Sequence, residues 1–97
     1  MDPAPLDGNA AAGALAEIFV FDVTVARTTC ASCGDTRPLA ELRAYLQAAG
    51  TVLRCATCGQ VQVRLVRSPD RAWLDLRGVG ALQITVDPST TGVASAR

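Results

Sequence analysis

Cys30-Ala31-Ser32-Cys33-Gly34 and Cys55-Ala56-Thr57-Cys58-Gly59 repeat one pattern, C-x-x-C-G, and hold all four cysteines of the chain. Twenty-one residues separate the second cysteine of one copy from the first of the other. A C-x-x-C-G turn presents two sulfurs on one side of a tight bend. Its backbone N–H groups can point at those sulfurs, and glycine takes the positive φ that such a bend often needs. Two turns face to face supply four thiolates, the donor set of a tetrahedral structural zinc site. Cys30, Cys33, Cys55 and Cys58 are therefore the expected metal ligands, for one Zn2+.

Other uses of paired cysteines fit less well. Disulfides closed within each C-x-x-C would be strained, and they do not persist in a reducing compartment. A thioredoxin-like centre has a single C-x-x-C opening a helix, whereas each copy here runs into strand pattern. A rubredoxin-like iron centre is the nearest competitor, because it uses the same turns. Rubredoxins are shorter, acidic and aromatic-rich, and this chain has four aromatic residues in 97. A catalytic zinc keeps an open coordination position and commonly takes histidine. The chain has no histidine and no fifth cysteine, so all four thiolates are needed to close the site. No triad, phosphate loop or suitably spaced carboxylate pair is apparent, and no enzymatic activity is expected.

The elements that must position the sulfurs follow from hydrophobic periodicity. Asp7 is a suitable N-cap, and Ala10, Ala11, Ala14, Leu15, Ile18 and Phe19 recur at helical spacing, which predicts a helix over about 9–19. Phe21, Val23 and Val25 then alternate with polar or small residues, which predicts a strand over 22–29 leading into Cys30. Leu42, Ala44 and Leu46 alternate in the same way; Leu39, Leu42 and Leu46 also fit helical spacing, but a strand over 40–47 is preferred. Thr51 to Cys55 and Gln60 to Arg67 flank the second motif as strands. Ser68-Pro69-Asp70 is a turn, and Ala72 to Arg77 returns as the second arm of a hairpin. Gly78 and Gly80 break it, and Ala81 to Val86 adds a last strand. The reading is a small α+β, mainly β domain, a zinc ribbon with two C-x-x-C-G knuckles on antiparallel hairpins and an N-terminal helix. Residues 1–6 form a flexible lead-in, 7–87 the single domain, and 88–97 a disordered tail.

Such a domain has a small core and benefits from a metal staple. Nine arginines balance nine acids, with no lysine. Zero net charge is a poor starting point for a non-specific DNA binder. The charge is uneven, however. Asp2, Asp7, Glu17 and Asp22 precede every base, so the acidic N-terminal part is expected to dock near the arginines of its own domain. MDPAPLDG lacks the positive region of a secretory signal, and Ala10 to Phe21 is too short to span a membrane, so a cytoplasmic protein is expected.

Beyond the cysteines, Trp73, Arg64, Arg71, Arg77 and Tyr45 are the candidate partner contacts. Trp73 shares its predicted strand face with Arg71, Asp75 and Arg77. Arg54, Arg64, Arg67, Arg71 and Arg77 fall within 24 residues. Binding of nucleic acid through them is the second expectation, set behind a protein partner because stacking platforms need several aromatics and Trp73 alone lies in that stretch.

LDGNAAAG, CASCG, GTVLRCATCG and WLDLRG, taken together and in this order, resemble a family of short, uncharacterised actinobacterial proteins with a zinc-ribbon-like core. The likeness runs from about Leu6 to Gly80. It implies metal ligation by Cys30, Cys33, Cys55 and Cys58, and the family has no established activity. The expectation is thus a zinc-stapled accessory module that binds a protein partner. A nucleic-acid-binding ribbon stands second, and an iron electron carrier third.

Overall fold

The computed structural model describes residues 6–47 and 50–86. Asp7 starts the first element as expected: its carboxylate accepts a hydrogen bond from the backbone N–H of Asn9 at 3.1 Å. This caps a 3-10 turn, Gly8–Ala11, that continues into the helix α1, Ala12–Ala16. The helical stretch is shorter than the predicted 9–19. Beyond Glu17 the chain turns with Ile18 and Phe19 still packed against the core. Ala11 and Leu15 bury the expected face, so the helix packs on its own chain.

Two antiparallel sheets carry the rest. The larger has the order β1 (Leu6–Asp7), β4 (Arg43–Gln47), β5 (Gly50–Arg54), β6 (Val61–Arg67), β7 (Ala72–Asp75). The smaller places β2 (Arg27–Cys30) between β3 (Thr36–Pro38) and β8 (Val79–Gln83). One knuckle joins β2 to β3 and the other joins β5 to β6, each at the tip of an antiparallel hairpin. The clustered cysteines on these hairpins form a zinc-ribbon-like arrangement.

Three strand expectations need correction. Residues 23–25 form a 3-10 turn rather than part of a strand 22–29. Asp22 is the reason: its carboxylate accepts from the N–H of Thr24 at 3.1 Å and from its hydroxyl, a local bond that competes with a ladder. Val23 and Thr24 are consequently buried side by side, while Val25 faces out. Residues 39–41 form another 3-10 turn, and the strand begins only at Arg43. The last strand runs over 79–83 rather than 81–86, and it pairs with β2. The expected lead-in ends inside β1, at Leu6. The expected tail, 88–97, lies outside the described residues.

One face of the larger sheet is buried. Ala44, Leu53, Val63 and Leu65 pack there beneath Ala11, Leu15, Val23, Ala26, Leu39 and Leu42. Cross-strand pairing fixes the other face. Tyr45 is level with Val52, Val52 with Arg64 and Arg64 with Asp75. Trp73 lies on that same face, level with Val66. The ion pair between Arg67 and Glu17 ties the helix end to β6. It gives the acidic N-terminal part its expected arginine.

Candidate metal centre

The two knuckles are built alike. In the first, the N–H of Cys30 donates to Asp35 O at 2.9 Å and that of Gly34 to Cys30 O at 2.9 Å. In the second, Cys55 N–H donates to Gln60 O at 2.8 Å and Gly59 N–H to Cys55 O at 3.0 Å. Gly34 and Gly59 take φ of +78° and +81°, a conformation that residues with a Cβ rarely adopt. The repeat in sequence is thus a repeat of one bend.

The bends bring the sulfurs together. All four Sγ atoms lie within 4.8 Å of one another. The close pairs run between the knuckles: Cys30 with Cys58 and Cys33 with Cys55, each at 3.7 Å. Bonded sulfurs would be about 2.05 Å apart, so these are free thiols. A metal with bonds of about 2.3 Å to sulfur at tetrahedral corners separates its ligands by roughly 3.8 Å. The four cysteines are therefore spaced to hold one metal ion. Cys30 and Cys55 are buried, and Cys33 and Cys58 reach the surface.

Donors surround the buried sulfurs. The N–H of Cys33 approaches Cys30 Sγ at 3.5 Å, and that of Thr57 approaches Cys55 Sγ at 3.4 Å. Cys33 N–H lowers the Cys30 thiol to about 6, against its burial. At Cys55, burial opposes, but the N–H groups of Cys58 and Thr57 leave the thiol lowered. Cys33 and Cys58 shift the other way. The N–H groups of Asp35 and Gln60 favour their thiolates, but desolvation and the neighbouring sulfurs outweigh them, raising Cys33 to about 12. Each knuckle thus pairs a buried sulfur whose thiol is lowered with an exposed one whose thiol is raised.

Side chains that stand outside the C-x-x-C-G pattern complete the centre. Gln62 is fully buried, and its Nε2 donates to Cys30 Sγ at 3.3 Å. Strand alternation puts Gln62 on the outer face with Arg64. The ladder instead shifts register here, pairing Leu53 with Val63 and Arg54 with Val61. Gln62 is left unopposed, and the bulge turns its amide onto the sulfur. Asp35, Arg37 and Thr57 tie one knuckle to the other. Asp35 accepts from Arg37 Nε at 2.6 Å and from Thr57 Oγ1 at 3.0 Å, and Arg37 Nη2 reaches Thr57 at 3.3 Å. The carboxyl of Asp35 is held below its usual range by the Arg37 hydrogen bond, then by Thr57.

A family model of unknown function matches residues 2–87, and so the whole of the region just described. The chain belongs to the DUF6510 family. No curated protein and no solved structure matches it. The DUF6510 match spans all four segments quoted above, LDGNAAAG, CASCG, GTVLRCATCG and WLDLRG. In the fold those segments are the capped helix start, the two knuckles with β5, and β7 with the turn to β8.

The remaining candidate residues separate. Tyr45, Arg64 and Trp73 share the outer face of the larger sheet. Arg77 lies just past β7 and pairs with Asp75 at 3.1 Å. Arg71, in the turn before β7, has Asp70 at 4.0 Å as its one carboxylate partner among the described residues. No helix among the described residues is long and apolar enough to cross a membrane.

Proposed function

We propose that this member of DUF6510 is a zinc-stapled interaction module: one Zn2+ closed by Cys30, Cys33, Cys55 and Cys58 fixes two hairpins, and the outer face of the larger sheet meets a macromolecular partner. The sulfur spacing carries the metal reading, since 3.7 Å is close to the roughly 3.8 Å edge of a zinc–thiolate tetrahedron. With four protein ligands the metal has no open position, so its role is structural rather than catalytic. Zinc is favoured over iron because the chain is not aromatic-rich. Two of its four aromatics, Phe19 and Phe21, pack edge to face just after the helix, and the other two lie on the outer sheet face.

A closed site of this kind contributes folding free energy, about 10–16 kcal/mol in zinc-finger peptides, which is comparable with the whole stability of a small domain. Elemental analysis of the purified protein should give one zinc per chain and colourless solutions. Removal of the metal by a chelator, or Cys→Ser at any of the four positions, should abolish the cooperative melt. Red protein containing iron, or an unchanged melt without metal, would overturn the reading.

A further inference from the structure

Among the described residues, the outer face of the larger sheet carries more base than acid. Eight arginines lie among the described residues. Arg37, Arg67, Arg71 and Arg77 each have a carboxylate within 4.0 Å. Of the other four, Arg43, Arg54 and Arg64 share this one face. Arg43 and Arg54 stand directly opposite each other on β4 and β5, and like charges so placed destabilise a sheet. Asp7 is level with Arg43 on β1 but turns its carboxylate to the N–H of Asn9. Asp75, the other acid on the face among the described residues, pairs with Arg77 and stands level with Arg64, so one carboxylate serves two arginines. Among the described residues this basic row has fewer acids than arginines, which suits an anion from outside.

Aromatic rings interleave with the arginines. Arg54 lies 5.8 Å from the centre of the Tyr45 ring and donates to Gly59 O at 2.9 Å, so the second knuckle helps hold this stack. Trp73 is 54% exposed beside the half-buried Val66. Tyr45 and Trp73 are three strand spacings apart, roughly 14 Å across the sheet, and Arg64 lies between them. A cleft of about 590 Å3 at Trp73 shares Arg64, Asp75 and Arg77 with one of about 380 Å3 that reaches Ser32 of the first knuckle.

We propose that this face binds single-stranded nucleic acid, with bases stacked on Trp73 and on the Tyr45–Arg54 pair and phosphates held by Arg43, Arg54 and Arg64. The proposal rests on the interaction-module reading and names its partner. An acidic peptide would satisfy the arginines alone. An exposed indole and a ring already stacked with a guanidinium suit a ligand that alternates negative charge with flat π surfaces. A duplex fits less well, because the arginines and rings named lie on a sheet face rather than on a helix or ribbon shaped to enter a groove. Trp73 is the lone aromatic in the arginine-rich stretch of sequence; the fold adds Tyr45 and Arg43 from a different strand.

The test is fluorescence anisotropy of a labelled oligouridylate, about a dozen nucleotides long, with zinc-loaded full-length protein. Binding is expected at low salt, weakening roughly tenfold when salt rises threefold, as three neutralised phosphates on a single strand require. Trp73 emission should be quenched on binding. Trp73→Ala should weaken binding roughly ten- to a hundredfold, with Trp73→Phe retaining most of it. Arg43→Gln with Arg64→Gln should flatten the salt dependence. A polyglutamate peptide that displaces the oligonucleotide equally well, together with no effect of Trp73→Ala, would overturn the proposal in favour of an acidic protein partner. Zinc content read on the same samples separates the two readings. Zinc-loaded protein that leaves the anisotropy unchanged at low salt overturns the nucleic-acid proposal alone.

Discussion

Asp35, Arg37 and Thr57 show how single residues set the metal site without touching the metal. Their hydrogen bonds cross from one knuckle to the other, so in the folded chain they hold the two sulfur pairs at bonding separation. Asp35→Asn removes the charge that binds Arg37. It should weaken metal affinity roughly 10- to 100-fold, the usual effect of losing an outer partner, as measured by competition with a chromophoric chelator. Gln62→Leu should act in the same direction by stripping the N–H from Cys30. These residues were not legible in the sequence. Asp35 reads as a loop acid, and Gln62 belongs by alternation to the wrong face until the bulge is known. The sulfurs themselves were legible, because C-x-x-C-G encodes its own bend. Their protonation gives a further prediction. Protons compete with metal for thiolates, so affinity falls as pH falls. If the metal-free chain kept its fold, Cys30, its thiol lowered to about 6, would already have lost much of its proton by neutrality, so fewer than four protons would leave. An unfolded metal-free chain has all four thiols near their ordinary value of about 8.5 and releases nearly four. The latter is expected, so the logarithm of affinity should rise with a slope near four between pH 6 and pH 7 (values chosen well below that thiol range); a slope clearly below four would show that the knuckles persist without metal.

At the scale of elements, two glycines separate close packing from mere flexibility. A Cβ on Gly78 would lie 1.8 Å from Val61 O, where the turn from β7 to β8 crosses the start of β6. Ala31 N–H donates to Gly78 O at 2.9 Å, so the same turn braces the first knuckle. Gly78→Ala must therefore push β6 and the knuckle apart. It should cost more than about 3 kcal/mol, at the severe end for one substitution, and should lower metal retention as well. Gly13 is the contrasting case. It sits inside α1, and a Cβ there would meet no atom within 4 Å, so Gly13→Ala should stabilise by about 0.5–1 kcal/mol. Urea midpoints of the zinc-loaded proteins check both. The sequence reads Gly78 only as the end of a hairpin, because close approach between segments distant in the chain leaves no local mark. Periodicity recovered β4 to β7 and the helix start for the opposite reason: their register and caps are local. It failed at 23–25 and 39–41, where Asp22 and the burial of adjacent side chains override alternation.

For the whole molecule, the metal and the hydrophobic core are two parts of one equilibrium. The core is formed by the helix start, the turns and one face of the larger sheet, and the cysteines lie at the hairpin tips beyond it. If the chain is unfolded without metal, zinc affinity measures folding free energy, and every core contact contributes to it. Leu15 is the sharpest probe. It is 1% exposed in the helix and belongs to the core rather than to either knuckle. Leu15→Ala should cost about 2–5 kcal/mol through lost burial and the cavity left behind. At 1.4 kcal/mol per factor of ten, the apparent zinc affinity should fall by roughly thirtyfold to a few thousandfold, although no ligand has changed. The loss should appear in the competition titration with the slope against pH unaltered, because the same four thiols still surrender their protons. An affinity unchanged by Leu15→Ala would mean that the ribbon folds around its metal without the helix, and that the N-terminal segment is an independent attachment to it.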